Sequence, residues 1–260
     1  HTPDLYFAAS DEITGNSVLI IEDLADARLG DSVKGCSMDD MTLAIGSIAD
    51  IHSIWWNKLG GAQYNWVPTK SLDAEFYEQE YNQAWDLLRV KAEGAMPDRL
   101  WKLGKVLGQH VSTIRGHLSS VPTTLVHGDY RPDNCFFGNL QDNRPLVVFD
   151  WEYCTKGRGV YDVATFLSEA LTREQRAKYE LDFLGLYHSL LVQNGVKGYS
   201  FDQCLTDYRW SFLDLILFWA VVGGPCDWDD LRAKQYLRNT LERFDGAVYD
   251  HESMKLLAEE

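Results

Sequence analysis

The feature that most constrains the fold is a set of short apolar runs between residues 123 and 150, inside a chain whose pattern is otherwise helical. Short runs bounded by Gly, Pro, Asn and Asp are typical of strands joined by turns. After residue 24 the remaining apolar residues follow helical spacing, which predicts helices from Ser37 onward and over residues 71–94, 97–119, 160–171, 173–194, 201–222 and 227–245. Strands embedded in a helical body predict the α+β fold class.

The N-terminal segment predicts a β-hairpin. Leu5 to Ser10 and Val18 to Ile21 are strand-like runs, and residues 14–16, Thr-Gly-Asn, are a turn signal between them. The β-branched run from Val18 to Ile21 predicts a buried strand. Because a hairpin alone is only marginally stable, we expect further sheet or a helix to cover it.

The composition excludes several classes of function. A formal net charge of -15 without a stripe of Lys or Arg disfavours nucleic acid as a partner. The five cysteines are scattered and form no Cys-x-x-Cys pair, which argues against a disulfide framework or a zinc site and favours a cytoplasmic location. The longest apolar run, Leu215 to Val222, is far shorter than the roughly 20 residues of a membrane span. With no visible signal peptide, we expect no membrane partner.

Two polar residues flank a predicted hairpin in the middle of the chain. Residues 135–137 and 146–149 predict its strands, and the polar residues 138–145 predict the turn that joins them. The start of one antiparallel strand lies beside the end of the other, so Asn134 and Asp150 are expected to lie together. An amide oxygen beside a carboxylate suits Mg²⁺, which also takes phosphate oxygens and water as ligands.

Asp129 precedes Asn134 by five residues, in the loop that follows the apolar pair Leu125-Val126. Phosphoryl transfer needs a residue that orients the attacking hydroxyl and accepts its proton, and cations that neutralise the transferred group. Asp129 fits the first role, and Arg131 is a candidate cation in addition to the metal. Taken alone, Asp129 and Asn134 are more simply turn residues. Their common spacing, ahead of a strand that ends in Asp150, favours a catalytic function.

The segment His127-Gly128-Asp129-x-x-x-x-Asn134 resembles the catalytic loop of the aminoglycoside phosphotransferase and choline kinase group, which has the spacing of the protein kinase loop. Asp150 matches the second metal-binding Asp of that group. Residues 157–164 are similar to the next segment, in which an Asp at the position of Asp162 braces the loop. Residues 18–24 resemble the strand and hinge over which the adenine of ATP lies. The helix over residues 36–56 and the position of Arg131 suggest the ecdysteroid-kinase-like branch.

The resemblance implies a protein-kinase-like fold and a kinase that moves the γ-phosphate of ATP, with Mg²⁺, to a hydroxyl of a small organic molecule. The residues that it implies are Asp129 and Arg131 for catalysis, Asn134 and Asp150 for the metal, and the backbone of Glu22, Asp23 and Leu24 for adenine. Likeness of fold does not choose between an antibiotic, a choline-like amine, a steroid and a sugar as the acceptor, nor does it give the oligomeric state.

The N-terminal part departs from the kinase pattern. The hinge-like strand ends by residue 24, no Gly-x-Gly-x-x-Gly segment occurs, and no strand contains the Lys that holds the α- and β-phosphates. We expect residues 1–24 to be the remnant of a truncated β lobe with its hinge, and residues 25–260 to be a mainly helical catalytic lobe with the embedded hairpin. The glycine-rich segment and the phosphate-binding Lys either precede His1 or are lacking. If they are lacking, the alternative is a non-catalytic nucleotide- or ligand-binding protein of the same fold. A metal-dependent hydrolase is a third possibility, disfavoured by the lack of His-rich ligand spacing.

Other polar and aromatic residues have a structural explanation beside the functional one. His127 is expected to hold the loop, and Glu152 either approaches the metal or is a solvated acid. The acids Asp227, Asp229 and Asp230 favour a helix N-terminus over a pocket for a cation. The tryptophans are expected in the core, with one or two as walls of an acceptor site; they are Trp55, Trp56, Trp210 and Trp219.

Overall fold

The computed structural model describes residues 1–11, 13–139 and 144–258, which form a mainly helical body with small antiparallel sheets. The strands are β1 (Leu5–Ser10), β2 (Ser17–Ile21), β3 (Arg28–Leu29), β4 (Thr124–Val126), β5 (Cys135–Asn139), β6 (Arg144–Val148) and β7 (Thr155–Gly157). The helices are α1 (Met38–Trp55), α2 (Ala74–Lys91), α3 (Asp98–Leu107), α4 (Val111–Ser119), α5 (Val160–Ala170), α6 (Arg173–Gln193), α7 (Phe201–Gly223) and α8 (Leu231–Asp250). The α+β class predicted from the sequence is confirmed.

Helix α7 is the centre of the helical body. It packs against α2, α4, α5 and α8, and its side chains Leu213, Ile216 and Leu217 are almost completely buried. Each such side chain contributes about 1.5–3 kcal/mol when it is removed from water. Packing around α7 therefore accounts for much of the stability of the body on which the loops described below are mounted.

Side-chain caps fix where two of the helices begin. The Ser37 hydroxyl accepts from the backbone N–H of Asp40 at 3.1 Å, and the Asp40 carboxylate accepts from the N–H of Ser37. These two bonds form a capping box at the start of α1, where the sequence predicted that a helix begins. Thr172 and Gln175 form a second capping box at the start of α6. In both cases the side chains satisfy backbone donors that the first helical turn leaves unpaired.

Two helix predictions were wrong in their extent. The span 97–119 contains two helices, α3 and α4, because residues 108–110 between them are not helical. Gly108 favours this break, since glycine is costly inside a helix. The helix predicted over 227–245 runs instead over the range of α8. Asp230 caps it by accepting from the N–H of Ala233 at 2.9 Å, which confirms the expectation of a helix N-terminus for this acid.

The N-terminal hairpin of β1 and β2 forms as predicted, but the prediction that its second strand is buried was wrong. Val18 to Ile21 was expected to be a buried strand, and every residue of β2 is exposed, including Leu19 at 64%. Within the described residues no helix or further strand packs across this sheet. A β-branched run favours a strand, but whether that strand is buried depends on another element that covers it, and the run itself does not specify such an element.

The embedded hairpin is confirmed, with Cys135 of β5 opposite Val148 of β6. Strand β3 joins β5 on its other side, which the sequence did not predict. Residues 140–143 of the predicted turn lie outside the described residues. A second ladder pairs β4 with β7 and sets Val126 opposite Thr155. These registers bring the loop over residues 127–134 beside the loop over residues 149–154.

Candidate active site

Two adjacent loops, residues 127–134 between β4 and β5 and residues 149–154 between β6 and β7, form the candidate site. They touch where the N–H of Phe149 donates to the carbonyl of Asn134 at 3.2 Å. Gly128 has φ +89°, and a Cβ there would lie 2.2 Å from the carbonyl oxygen of Tyr153. Both the left-handed backbone and the close approach require glycine at this position, so Gly128 allows the two loops to pack tightly.

Asp162, in the first turn of α5, holds the start of the loop over residues 127–134 by hydrogen bonds. Its fully buried carboxylate accepts from the backbone N–H of His127 at 2.7 Å and of Gly128 at 3.0 Å. His52 Nε2 lies 3.1 Å from the same carboxylate, and the other ring nitrogen of His52 lies 2.9 Å from the hydroxyl of Tyr187. Hydrogen bonds to a charged acceptor in a buried site are strong. The expected role of Asp162 as a brace is therefore confirmed by its contacts.

His127 is a buried link between the two loops. Its Nδ1 accepts from the N–H of Asp129 at 3.3 Å, so the proton resides on Nε2, which donates to the carbonyl of Phe149 at 2.9 Å. The ring also packs against Trp151, with centroids 4.5 Å apart. Because both nitrogens are engaged and the side chain is fully buried, His127 holds the loop, as expected from the sequence.

Asp129 lies at the centre of a polar cluster. Its Oδ2 accepts from Arg131 Nε at 3.0 Å and from Asn134 Nδ2 at 3.0 Å, and the same amide donates to the Asp129 carbonyl at 2.8 Å. Burial raises the pKa of Asp129 above its ordinary value, although Arg131 and Asn134 oppose the rise. Both side-chain bonds use Oδ2, and within the described residues no donor reaches Oδ1. Asp129 thus has a free oxygen with enhanced affinity for a proton.

Asn134 and Asp150 are the candidate metal ligands. The side-chain nitrogen of Asn134 donates to Asp129, so the side-chain oxygen of Asn134 is the group that can bind a cation. Among the residues that the structure describes, no hydrogen bond or ion pair engages the Asp150 carboxylate, and none of their His, Cys, Asp and Glu side chains gather in threes or more as a metal cage. One amide oxygen and one free carboxylate fit Mg²⁺, which completes its shell with water and phosphate oxygens.

A cavity of about 190 Å³ opens beside the two loops. Asp129, Arg131, Asp150 and Glu152 line its polar side, while its apolar wall comes from α7, α8 and the segment between them. That wall consists of Phe218, Trp219, Val222, Trp228 and Tyr236. Of the four tryptophans that the sequence analysis considered as walls of an acceptor site, Trp219 lines this cavity. Trp228 and Tyr236 were missed, because neither the spacing nor the neighbours of an aromatic residue in a helical segment distinguish a pocket wall from core.

A second cavity of about 150 Å³ adjoins the first and shares Glu152, Tyr153 and Phe218 with it. The rings of Tyr153 and Phe218 meet edge to face, 5.0 Å apart, and form the partition between the two cavities. The second cavity is lined by the buried cations Lys70 and Arg115. Glu152 therefore lines both cavities. The sequence left open whether this acid approaches the metal or is exposed to solvent.

Arg131 extends from Asp129 toward α8. Its Nη1 donates to the hydroxyl of Tyr236, on α8, at 2.8 Å. Burial opposes the charge on Arg131, but Tyr236, Asp129 and Glu169 outweigh it and hold its pKa above the ordinary value. Glu169 and Tyr236 lie far from the motif in sequence, and no local signal links them to it.

The predicted adenine segment lies apart from the cavity. Glu22 pairs with Arg144 at the start of β6, at 2.8 Å for Nη1, and accepts from the N–H of Asp4 at 3.1 Å. These hydrogen bonds lower the pKa of Glu22 to about 2. Leu24 is buried, and Asp23 accepts from the N–H of Ala25 at 3.0 Å. The segment is thus at the opposite end of β6 from Asp150.

A model of the phosphotransferase enzyme family, the APH family, matches residues 44–199, which is more than half of the chain and includes both loops, Asp129, Asp150 and Asp162. The chain belongs to this family. No protein of curated function matches the sequence.

Solved structures of kinases share the fold at low sequence identity. A choline kinase from Streptococcus pneumoniae is 16% identical with a TM-score of 0.53, and the match covers 97% of this chain and 75% of the kinase. An ethanolamine kinase from Plasmodium vivax is 14% identical with a TM-score of 0.55, covering 95% and 67%. An amicoumacin kinase in complex with AMP-PNP and Ca²⁺ is 14% identical with a TM-score of 0.52, covering 94% and 72%. The protein-kinase-like fold expected from the resemblance is thereby confirmed.

The described helices contain no segment that is both long and apolar enough to cross a membrane. All five cysteines are free.

Proposed function

We propose that this phosphotransferase-family chain moves the γ-phosphate of ATP to a hydroxyl group of a small organic molecule. The observation that supports the proposal best is the position of Asp129. Its carboxylate has one oxygen held by Arg131 and Asn134, one oxygen free of described donors, and a place on the wall of a cavity that Asp150 also lines. That combination of a positioned base with adjacent oxygen ligands is what phosphoryl transfer requires.

Each polar residue of the cluster has a role in this proposal. Asp129 orients the acceptor hydroxyl and takes its proton on Oδ1, and burial, which raises its pKa, favours that transfer. Asn134 and Asp150 hold Mg²⁺, which when bound neutralises charge on the phosphates. Arg131, a permanent cation on the cavity wall, stabilises charge that develops on the transferred group. The neighbour that contains AMP-PNP and Ca²⁺ supports the use of a nucleotide with a divalent cation.

The acceptor is proposed to bind in the cavity lined by Asp129. Its aromatic wall favours an acceptor with a substantial apolar part, because such walls contribute most of the binding energy in small-molecule sites. Choline, ethanolamine and amicoumacin, after which these neighbouring kinases are named, are reasonable first members of an acceptor screen. The membership of the ecdysteroid-kinase-like branch stays a prediction.

For the nucleotide we propose that adenine lies against the backbone of residues 22–24 and that the phosphates extend along β6 toward Asp150. Residues 1–24 would then be the strand and hinge portion of an N-terminal lobe, and residues 25–260 the catalytic lobe. The exposed apolar surface of β1 and β2 supports this division, because it is the surface that further sheet would cover. A cytoplasmic location is proposed with it, since free cysteines suit a reducing compartment.

The first test is calorimetric titration of Mg-ATP into this chain and into a form extended at its N-terminus. Asp150→Asn should weaken binding at least about tenfold in Mg²⁺, equivalent to roughly 1.4 kcal/mol, and should have little effect when Mg²⁺ is removed. Asp182→Asn is the matched control, since Asp182 is an exposed acid on α6 away from the loops. Failure of both forms to bind Mg-ATP would remove the nucleotide and metal assignments together.

A non-catalytic nucleotide- or ligand-binding protein of the same fold is the second candidate. The given residues contain no phosphate-covering loop and no strand Lys of the kinase type, and a protein without these two elements would bind its ligand but would not transfer phosphate. The two candidates differ in one outcome, because only the kinase transfers ³²P from γ-labelled ATP to an acceptor. Binding of Mg-ATP by the extended form without any such transfer, over a broad acceptor screen, would favour the binding protein.

A further inference from the structure

The second cavity has no role in the proposed transfer, although it adjoins the cavity that Asp129 lines. Its lining includes Lys70, from the short turn before α2, and Arg115, from α4. The side chain of Lys70 is 7% exposed and that of Arg115 is 3% exposed. Cations buried so deeply are costly unless negative charge compensates them.

A single fully buried carboxylate pairs with both cations. Asp214, on α7, places Oδ2 at 2.9 Å from Lys70 Nζ and Oδ1 at 3.3 Å from Arg115 Nη1. Burial lowers the pKa of Lys70, and the opposing carboxylates of Asp214 and Asp162 do not offset this effect. The ammonium group of Lys70 is therefore short of negative charge.

The remaining acids of the second cavity are open to solvent. Asp73 accepts from Arg115 Nη2 at 2.8 Å, but its side chain is 50% exposed. Glu152, which lines both cavities, is also exposed. Because water weakens the field of an exposed charge, these two acids offset the buried cations less than Asp214 does.

The ammonium group of Lys70 also has a donor to spare. Apart from its pairing with Asp214, Nζ lies 3.7 Å from the centre of the Tyr161 ring. An ammonium group has three N–H donors, so at least one of them has no acceptor among the described residues. A buried donor of this kind on a cavity wall favours a ligand that supplies an oxygen atom, and its positive charge favours an anionic one.

The first cavity has the opposite charge. Asp129, Asp150 and Glu152 line it together with one cation, Arg131. An anionic group of a ligand is therefore repelled from the first cavity and attracted to the second. The two cavities are within reach of one small molecule, because Gly128 lines the second and Asp129 the first, and consecutive Cα atoms are about 3.8 Å apart.

We propose that the second cavity is a carboxylate subsite and that the acceptor is a hydroxy acid. Its hydroxyl group lies at Asp129, its apolar part passes the rings of Tyr153 and Phe218, and its carboxylate pairs with Lys70 and Arg115. The carboxylate takes no part in the transfer. The hydroxyl oxygen bonds to the γ-phosphorus of ATP, its proton goes to Asp129, and ADP leaves. The hydroxyl end rests on the proposed function, whereas binding of the carboxylate can be measured without turnover.

The subsite is tested by calorimetry with two hydroxy acids, para-(hydroxymethyl)benzoate and ω-hydroxyhexanoate, and with the neutral carboxamide of each. We expect at least one acid to bind the full chain roughly tenfold more tightly than its amide, since a hydrogen bond to a charged group is gained. Lys70→Met should bring the ratio of the two affinities close to one. The ratio is insensitive to a general loss of folded protein, which affects acid and amide equally.

Two further variants support this measurement. Asp73→Asn removes an acid that competes for Arg115, so it should raise the preference for the acid a few fold, and it decides the question if Lys70→Met does not fold. Lys102→Met is the matched control, because Lys102 is an exposed lysine of α3 that lines neither cavity, and it should leave the ratio unchanged. Equal affinities of acid and amide for the wild type, or a preference that neither Lys70→Met nor Asp73→Asn changes, would overturn the subsite.

Transfer of ³²P from γ-labelled ATP separates this inference from the proposed function. We expect kcat/KM for the preferred acid to exceed that for its amide roughly tenfold, in line with the difference in affinity. If the acid is preferred in binding but no acceptor is phosphorylated, the proposed function fails and the subsite stands. If acids and amides are phosphorylated equally well, only the present inference fails.

Discussion

Replacement of Glu169 by Gln should stabilise the protein at alkaline pH and not at acid pH. Burial is the main reason that the pKa of Glu169 rises from 4.5 to about 7. At about 1.36 kcal/mol per pKa unit, this difference corresponds to about 3 kcal/mol between the protonated and ionised forms. Because the folded-state pKa is the higher one, the stabilising contribution of the protonated acid is complete below pH 4.5 and is lost as the pH rises through 7. Gln mimics the protonated form at every pH.

The measurement is urea unfolding of the wild type and Glu169→Gln at several pH values on either side of the Glu169 pKa. The two proteins should be similar in acid, and the variant should gain up to about 3 kcal/mol above pH 8. Glu180→Gln is a control of opposite sign. Although burial opposes it, His251 and Arg176 lower the pKa of Glu180, so its ionised form stabilises the fold at neutral pH and its replacement should destabilise there. A stability difference for Glu169→Gln that is constant across this range would refute the reasoning.

Three further substitutions address the loops. Asp129→Ala should abolish transfer and spare Mg-ATP binding measured by calorimetry; full activity would remove Asp129 from its assigned role. Gly128→Ala should lower the melting temperature strongly, because its Cβ would lie 2.2 Å from the Tyr153 carbonyl, and a melting temperature equal to that of the wild type would contradict the close approach. Asp162→Asn should cost about 1–3 kcal/mol in urea unfolding, since an amide is a weaker acceptor for the two loop N–H groups; no loss would mean that the brace is dispensable.

The geometry of the candidate motif and the fold class were predictable because they depend on local information. Residues 127–134 and the hairpin that follows contain both the spacing of the polar side chains and the strands that bring them together. The register of β5 on β6 is enough to place Asn134 beside the loop of Asp150. No contact with a distant element is needed for that inference, and it is here that sequence and structure agree best.

The features that were missed depend on contacts between distant segments. Strand β2 has the composition of a buried strand, but its burial depends on an element that the run itself cannot specify. The break between α3 and α4 is marked by Gly108, but a single glycine inside a helical pattern is often tolerated. The hydrogen bond from Arg131 to the Tyr236 hydroxyl joins the loop to α8, and only tertiary packing brings these two segments together.

The brace formed by Asp162 has a consequence for how the loop moves. Its two bonds tie the amide protons of His127 and Gly128 to a helix in the interior, although these residues belong to an irregular segment. Such amides exchange with solvent only when the structure around them opens. We expect their deuterium exchange to be as slow as that of α5, whereas the amides of the exposed β1–β2 hairpin exchange early. The geometry around Asp129 would then persist for as long as the helical body remains folded, with no contribution needed from the N-terminal strands.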